Sequence, residues 1–158
     1  MRILREGFQR DALAAPVHTE ESGTISIRDI AMVDEDGAPL RVARTGDTIR
    51  IRMDLHASKR VEGWVTAFSL DTNLGQKLHY YNSRNSGATL PPIDGDATVM
   101  ITVPTLTLGE GLYRMNVSID DAGGQPYAQR DGAWDLVVQG NGIGSGPVAL
   151  DSAIEVEG

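Results

Sequence analysis

The sequence predicts an all-β fold, an immunoglobulin-like antiparallel β-sandwich, and three observations carry that reading. Several segments alternate apolar and polar residues with the period of two that strands require. Glycine- and proline-containing turn signals separate them at short intervals, in a chain with 18 Gly and 7 Pro. Beyond the first two dozen residues no stretch carries a helical apolar period. A jelly roll is the second choice of architecture.

Met1 to Gly23 reads as a lead-in, with a weakly amphipathic start at Ile3, Leu4 and Phe8 followed by an Ala-rich run and Pro16. The expectation is a short helix or linker over residues 1–22, a joint to an upstream domain, with the sandwich filling 23–158. The first strand, Thr24–Asp34, points Ile25 and Ile27 inward, then Ile30 and Met32. That slip of phase at Arg28–Asp29 predicts a β-bulge. Glu35-Asp36-Gly37 is a turn whose glycine is free to take positive φ. Thr48–Ala57 places Ile49, Ile51, Met53 and Leu55 inside, with Arg50, Arg52, Asp54 and His56 outside.

Trp64–Asp71 sets Trp64, Thr66, Phe68 and Leu70 against Val65, Ala67, Ser69 and Asp71. Asn73-Leu74-Gly75 turns the chain into Gln76–Asn82, where Leu78 and Tyr80 are expected inside and His79 and Tyr81 outside. A polar loop, 83–96, precedes Ala97–Val103. The motif Leu106-Thr-Leu-Gly-Glu-Gly-Leu-Tyr113 then opens the most regular strand of the chain. There Tyr113, Met115, Val117 and Ile119 face the core, while Arg114, Asn116, Ser118 and Asp120 face solvent. Ala133–Gln139 buries Trp134, Leu136 and Val138. A glycine-rich hinge, Gly140–Gly146, leads to Pro147–Val156, which has room for one or two short strands.

Charge and composition exclude several functions. A net charge of −8 with scattered arginines argues against nucleic acid, which needs a basic stripe. The absence of cysteine removes disulfide and thiol chemistry. No P-loop pattern is present, and the glycines of Gly140–Gly146 have the wrong spacing for a dinucleotide loop. His18, His56 and His79 are too scattered for a zinc motif, and Asp34-Glu35-Asp36-Gly37 lacks calcium-loop spacing. No metal site and no cofactor are therefore expected. Asp71, Asp120 and Asp135 could pair for glycosidase chemistry, but Asp71 and Asp120 sit at strand ends where Asp commonly bonds a turn. Asn116-Val117-Ser118 fits a glycosylation acceptor by letter, in the middle of a strand.

The outward face is the stronger signal. If Trp64–Asp71, Gln76–Asn82, Leu112–Asp120 and Ala133–Gln139 share one sheet, that face carries Ser69, Asp71, His79, Tyr81, Arg114, Asn116, Ser118 and Asp135. An aromatic ring, a planar amide, a guanidinium and hydroxyls suit a sugar, whose C–H face stacks while its hydroxyls take directional hydrogen bonds. Solubility alone also makes outer sheet faces polar, so a glycan-acting enzyme or a protein–protein adhesion sandwich stand as alternatives.

The segments Gly23-Thr-Ile-Ser-Ile-Arg-Asp-Ile, Thr45-Gly-Asp-Thr-Ile-Arg-Ile, Phe68-Ser-Leu-Asp-Thr-Asn-Leu-Gly75, Leu106–Tyr113 and Trp134-Asp-Leu-Val-Val resemble one known family. It is the C-terminal carbohydrate-binding domain of Wzt, the ATPase subunit of ABC exporters for lipid-linked O-antigen polysaccharide. The resemblance runs from about Gly23 to Val156. It implies a non-catalytic, immunoglobulin-like domain that binds the exported polysaccharide and couples it to transport. It also implies a homodimer through exchanged C-terminal strands, an upstream nucleotide-binding domain and a membrane subunit as partners. The implied location is cytoplasmic, peripheral to the inner membrane. Ile154 and Val156 depart from the family pattern, in which the last strand carries an aromatic near its end.

Overall fold

The computed structural model describes residues 19–157, and all of their regular structure is strand. The helix read over the first residues lies outside that range. Nine strands follow in order: β1 (Thr19–Glu21), β2 (Ile25–Val33), β3 (Val42–Arg44), β4 (Ile49–Val61), β5 (Val65–Thr72), β6 (Lys77–Asn82), β7 (Ile93–Val103), β8 (Gly111–Asp120) and β9 (Pro126–Gln139). One sheet has the order β1-β9-β8-β5-β6, with β3 added parallel to β9; the other is β2-β4-β7. The expected sandwich is present, and the four strands assigned to one sheet do share it.

The apolar rows close on one another between the sheets. Trp64, Phe68, Tyr113, Met115, Val117, Trp134 and Leu136 are all buried, as their alternation requires, against Ile25, Met32, Ile49, Ile51 and Met53 of the facing sheet. Each fully buried aliphatic side chain contributes roughly 1.5–3 kcal/mol relative to exposure. The indoles keep their polar tips satisfied: Trp64 Nε1 donates to the Pro91 carbonyl at 2.8 Å and Trp134 Nε1 to the Leu40 carbonyl at 2.9 Å. Arg41 covers the Trp134 ring from 3.5 Å, a cation–π contact.

The phase slip of β2 is the expected bulge, between Ile27 and Asp29. It frees backbone groups that the other sheet then satisfies. Arg130 donates to the Ile27 carbonyl, and the Ile27 N–H donates to Glu21 Oε1 at 3.4 Å, with Glu21 itself 3.7 Å from Arg130. This clasp explains a strand that the sequence hides. Thr19–Glu21 falls within the segment read as a lead-in, yet it pairs with β9 through Ala128–Arg130.

The Leu106–Tyr113 motif is a corner. Leu106 is buried, and the Tyr113 hydroxyl donates to the Gly109 carbonyl at 2.8 Å, four residues back. A tyrosine that ties the start of its strand to the preceding corner is a recurring device of immunoglobulin-like sandwiches. Gly109 has no room for a side chain, since a Cβ there would fall 1.8 Å from the Gly146 carbonyl oxygen. Its N–H donates to the Pro147 carbonyl at 3.0 Å, and Ala149 N–H donates to Thr107 at 2.9 Å. Among the described residues Leu108 and Val148 form an isolated bridge, but the expected extra strands do not form: residues 149–157 make no strand pairing with the described part of the chain.

Burial pushes the Tyr113 phenol above its ordinary pKa of 10.0. The folded chain therefore holds this proton to higher pH than the unfolded one. The resulting stability is complete below the unfolded value and is lost as pH rises through the folded one. Tyr113→Phe is expected to cost about 1–2 kcal/mol near neutrality, through the unpaired Gly109 carbonyl. The gap between wild type and variant should close in alkaline urea titrations; a gap that stays constant with pH would contradict this role.

Candidate functional site

Outward residues of β5 and β8 form the floor of the candidate site, because Ser69 pairs with Asn116 and Asp71 with Arg114 across the central strands. Both neighbours of β5 are present, so the small Ala67 and Ser69 are buried although they point away from the core. Asn116 is the hub. Its Nδ2 donates to Ser69 Oγ at 3.1 Å and to Asp71 Oδ2 at 2.8 Å, and its Oδ1 accepts the Gly132 N–H at 2.8 Å. That last bond fixes a wide irregularity in β9, where Asp131, Gly132 and Ala133 lie between the residues paired with Val117 and Met115. Gly132 takes φ +66°, a left-handed conformation that glycine adopts without steric cost.

The irregular β9, the β5–β6 turn and the turn after β8 leave a groove of 820 Å³ over this floor. Asp71, Arg114, Ser118, Asp120, Gln129 and Asp131 supply polar groups, and Lys77 and Tyr80 stand at the β6 side. Asp71 Oδ1 is shielded from solvent without a hydrogen-bond partner. Burial raises the Asp120 carboxyl above the usual carboxylate range. The Ser118 hydroxyl, 3.0 Å away, opposes that shift, as does Arg84, while Asp121 adds to it. The guanidinium of Arg114 is turned to Asp135, Nε to Oδ1 at 3.3 Å.

Of the residues named from sequence, Ser69, Asp71, Arg114, Asn116 and Ser118 come together in the groove, and Asp135 stands behind Arg114. His79 and Tyr81 do not. They pair with Leu70 and Phe68, residues of the core face, and their rings lie 5.6 and 5.5 Å from Phe68. The Tyr81 hydroxyl donates to Ser86 Oγ at 3.2 Å, and the ring packs against the core. The cause is a bulge in β6: Asp71 pairs with Lys77 but Leu70 with His79, so Leu78 is the extra residue and the phase resets after it. Tyr80, expected inside, is instead 54% exposed on the groove side.

The outer face of the second sheet has a different character. Arg52 pairs with Asp54 at 2.8 Å, Thr98 donates to Asp54 at 2.9 Å, and His56 meets Asp96 at 2.7 Å, where the imidazole bond holds the Asp96 carboxyl below its usual range. The first pair lies along β4 and the other two cross from β4 to β7, all on an open surface. Among the described residues no group of His, Cys, Asp and Glu is placed to hold a metal ion, and no helix is long and apolar enough to cross a membrane.

Residues 17–150 match a family model described as the Wzt C-terminal domain. A solved structure, the crystal structure of the C-terminal domain of Wzt, superposes with a TM-score of 0.77 at 15% identity, covering 90% of each chain. A Niemann-Pick type C2 protein from Japanese carpenter ant shares the sandwich more loosely, with a TM-score of 0.51 at 10% identity over 77% of this chain and 98% of that one. Comparison with curated protein sequences yields no match.

Proposed function

Because the chain belongs to the Wzt C-terminal domain family, we propose that its groove binds a segment of cell-surface polysaccharide, of O-antigen type, without altering it chemically. Holding the glycan couples it to an ABC exporter, whose nucleotide-binding domain would precede this domain and whose membrane subunit would keep it at the cytoplasmic side of the inner membrane. One observation carries the reading. An exposed tyrosine ring stands beside a concave floor of fixed acceptors, which matches a sugar's apolar face and its hydroxyl edge.

Tyr80→Ala is expected to weaken binding of O-antigen polysaccharide about tenfold, the loss of roughly 1.4 kcal/mol of stacking and buried area. Stability should hold, since the ring is largely exposed. Calorimetric titration with NMR shift mapping reads both. Wild-type affinity in the variant, with shifts clustered around Arg28, Arg50 and Arg52 on the other sheet, would refute the proposal.

Dimerisation through the C-terminal segment belongs to the same reading. Leu150, Ile154 and Val156 are exposed, while the inward row of β7, Val99, Ile101 and Val103, is only half-buried. Among the described strands β7 pairs only with β4, so its other edge is open. A tail from a second copy would cover apolar surface that the single chain leaves wet.

A further inference from the structure

Resting on the glycan reading, we infer that the groove selects uncharged, hydroxyl-donating sugar units and turns away anionic ones. The charges that line the groove, and the polar groups already spent inside it, carry this inference. Both N–H groups of Asn116 are spent on Ser69 and Asp71, and its oxygen on Gly132. The Arg114 side chain is only 16% exposed, and Asp135 engages its Nε and balances its charge. The Gln129 amide donates to Asp131 at 3.2 Å, and the Ser118 hydroxyl to Asp120. Asn116 and Ser118 are thus turned into the protein, and the one guanidinium of the floor is paired with a carboxylate.

What the groove keeps in excess is negative charge. Asp71 Oδ1 is a desolvated carboxylate oxygen with nothing bonded to it, shielded beneath the floor, so its charge acts on the groove although a ligand does not touch it. Asp120 and Asp131 add two more carboxyl groups along the same groove. Against these stands Lys77, at the rim, 5.7 Å from the Tyr80 ring. A sugar carboxylate or phosphate would bring further acceptors and a like charge to surfaces already negative, in a chain of net charge −8. An uncharged hexose brings hydroxyls that donate.

The test uses surface polysaccharide of the source organism, freed from lipid and split on an anion exchanger into uncharged and anionic fractions. Each is passed over the immobilised full chain. The uncharged fraction is expected to be retained, and its retention to change less than about twofold between low and high salt, since no ion pairs are screened. Asp120→Asn combined with Asp131→Asn should allow the anionic fraction to bind as well. Retention of the anionic fraction by the wild type overturns this inference and leaves glycan binding standing. Retention of neither fraction overturns the glycan reading itself, and the inference with it.

Discussion

Asn116→Ala is expected to lower stability by about 2–3 kcal/mol, because three groups lose their partner at once. Gly132 N–H, Ser69 Oγ and Asp71 Oδ2 all bond this one side chain, and Asp71 already has its other oxygen unpartnered and shielded. For a chain of this length that corresponds to roughly 5–10 °C in Tm. Read from the sequence alone, Asn116 is an outward residue whose loss should cost binding and leave the fold untouched. The structure makes it the support of the groove, so stability and binding should fall together. Urea denaturation beside glycan titration checks this. A variant as stable as wild type would show that water replaces all three bonds. Asn116→Asp sharpens the test: it keeps an acceptor for Gly132 but sets a carboxylate against Asp71. The pair would hold a proton to higher pH than in the unfolded chain, so the variant's deficit should grow as pH rises.

Deletion from Pro147 onward is expected to convert a dimer to a monomer, seen as a halving of mass by light scattering. Among the described residues the deleted segment contributes one bridge to its own chain, Leu108 with Val148, so the sandwich should survive. Leu150, Ile154 and Val156 would each gain roughly 1.5–3 kcal/mol if buried against a second copy. Two exchanged tails then offset the several kcal/mol of freedom lost on association. The tail leaves its own sandwich where Gly109 packs against Gly146, next to a hinge with positive-φ glycines at Gly142 and Gly146. An oligomeric state unchanged by the deletion would rule out the exchange.

The core was legible wherever a strand keeps one phase or slips where apolar residues mark the slip. Ile27 and Ile30, three apart, announce the β2 bulge, and the unbroken alternation of β8 fixes every side chain on it. In β6 no such mark exists. Leu78 and Tyr80 are spaced for one face, and two adjacent tyrosines are equally fit for either, so the bulge exchanged the assignments of Tyr80 and Tyr81. The same ambiguity hid Lys77. Gln129 and Asp131 were missed because the irregularity in β9 depends on a cross-strand bond from Asn116, although a glycine within a strand, here Gly132 just before Ala133-Trp134, is itself a bulge signal. Thr19–Glu21 carries no apolar residue, and only backbone pairing and the Arg130 clasp make it a strand.

The left-handed Gly132, held by Asn116, divides the groove into parts that can be redesigned and parts that cannot. A side chain at 132 would be strained at φ +66° and would crowd Arg114, whose Cδ is 3.4 Å from the position of a Cβ. Removing Asn116 releases the same turn. Retargeting this surface to another polymer should therefore proceed through Tyr80, Lys77, Asp120 and Gln129, whose side chains meet the groove without shaping its backbone. A randomised library restricted to those four positions should stay folded in most members, whereas one that includes 116 and 132 should lose most of its members to unfolding before any selection for binding begins.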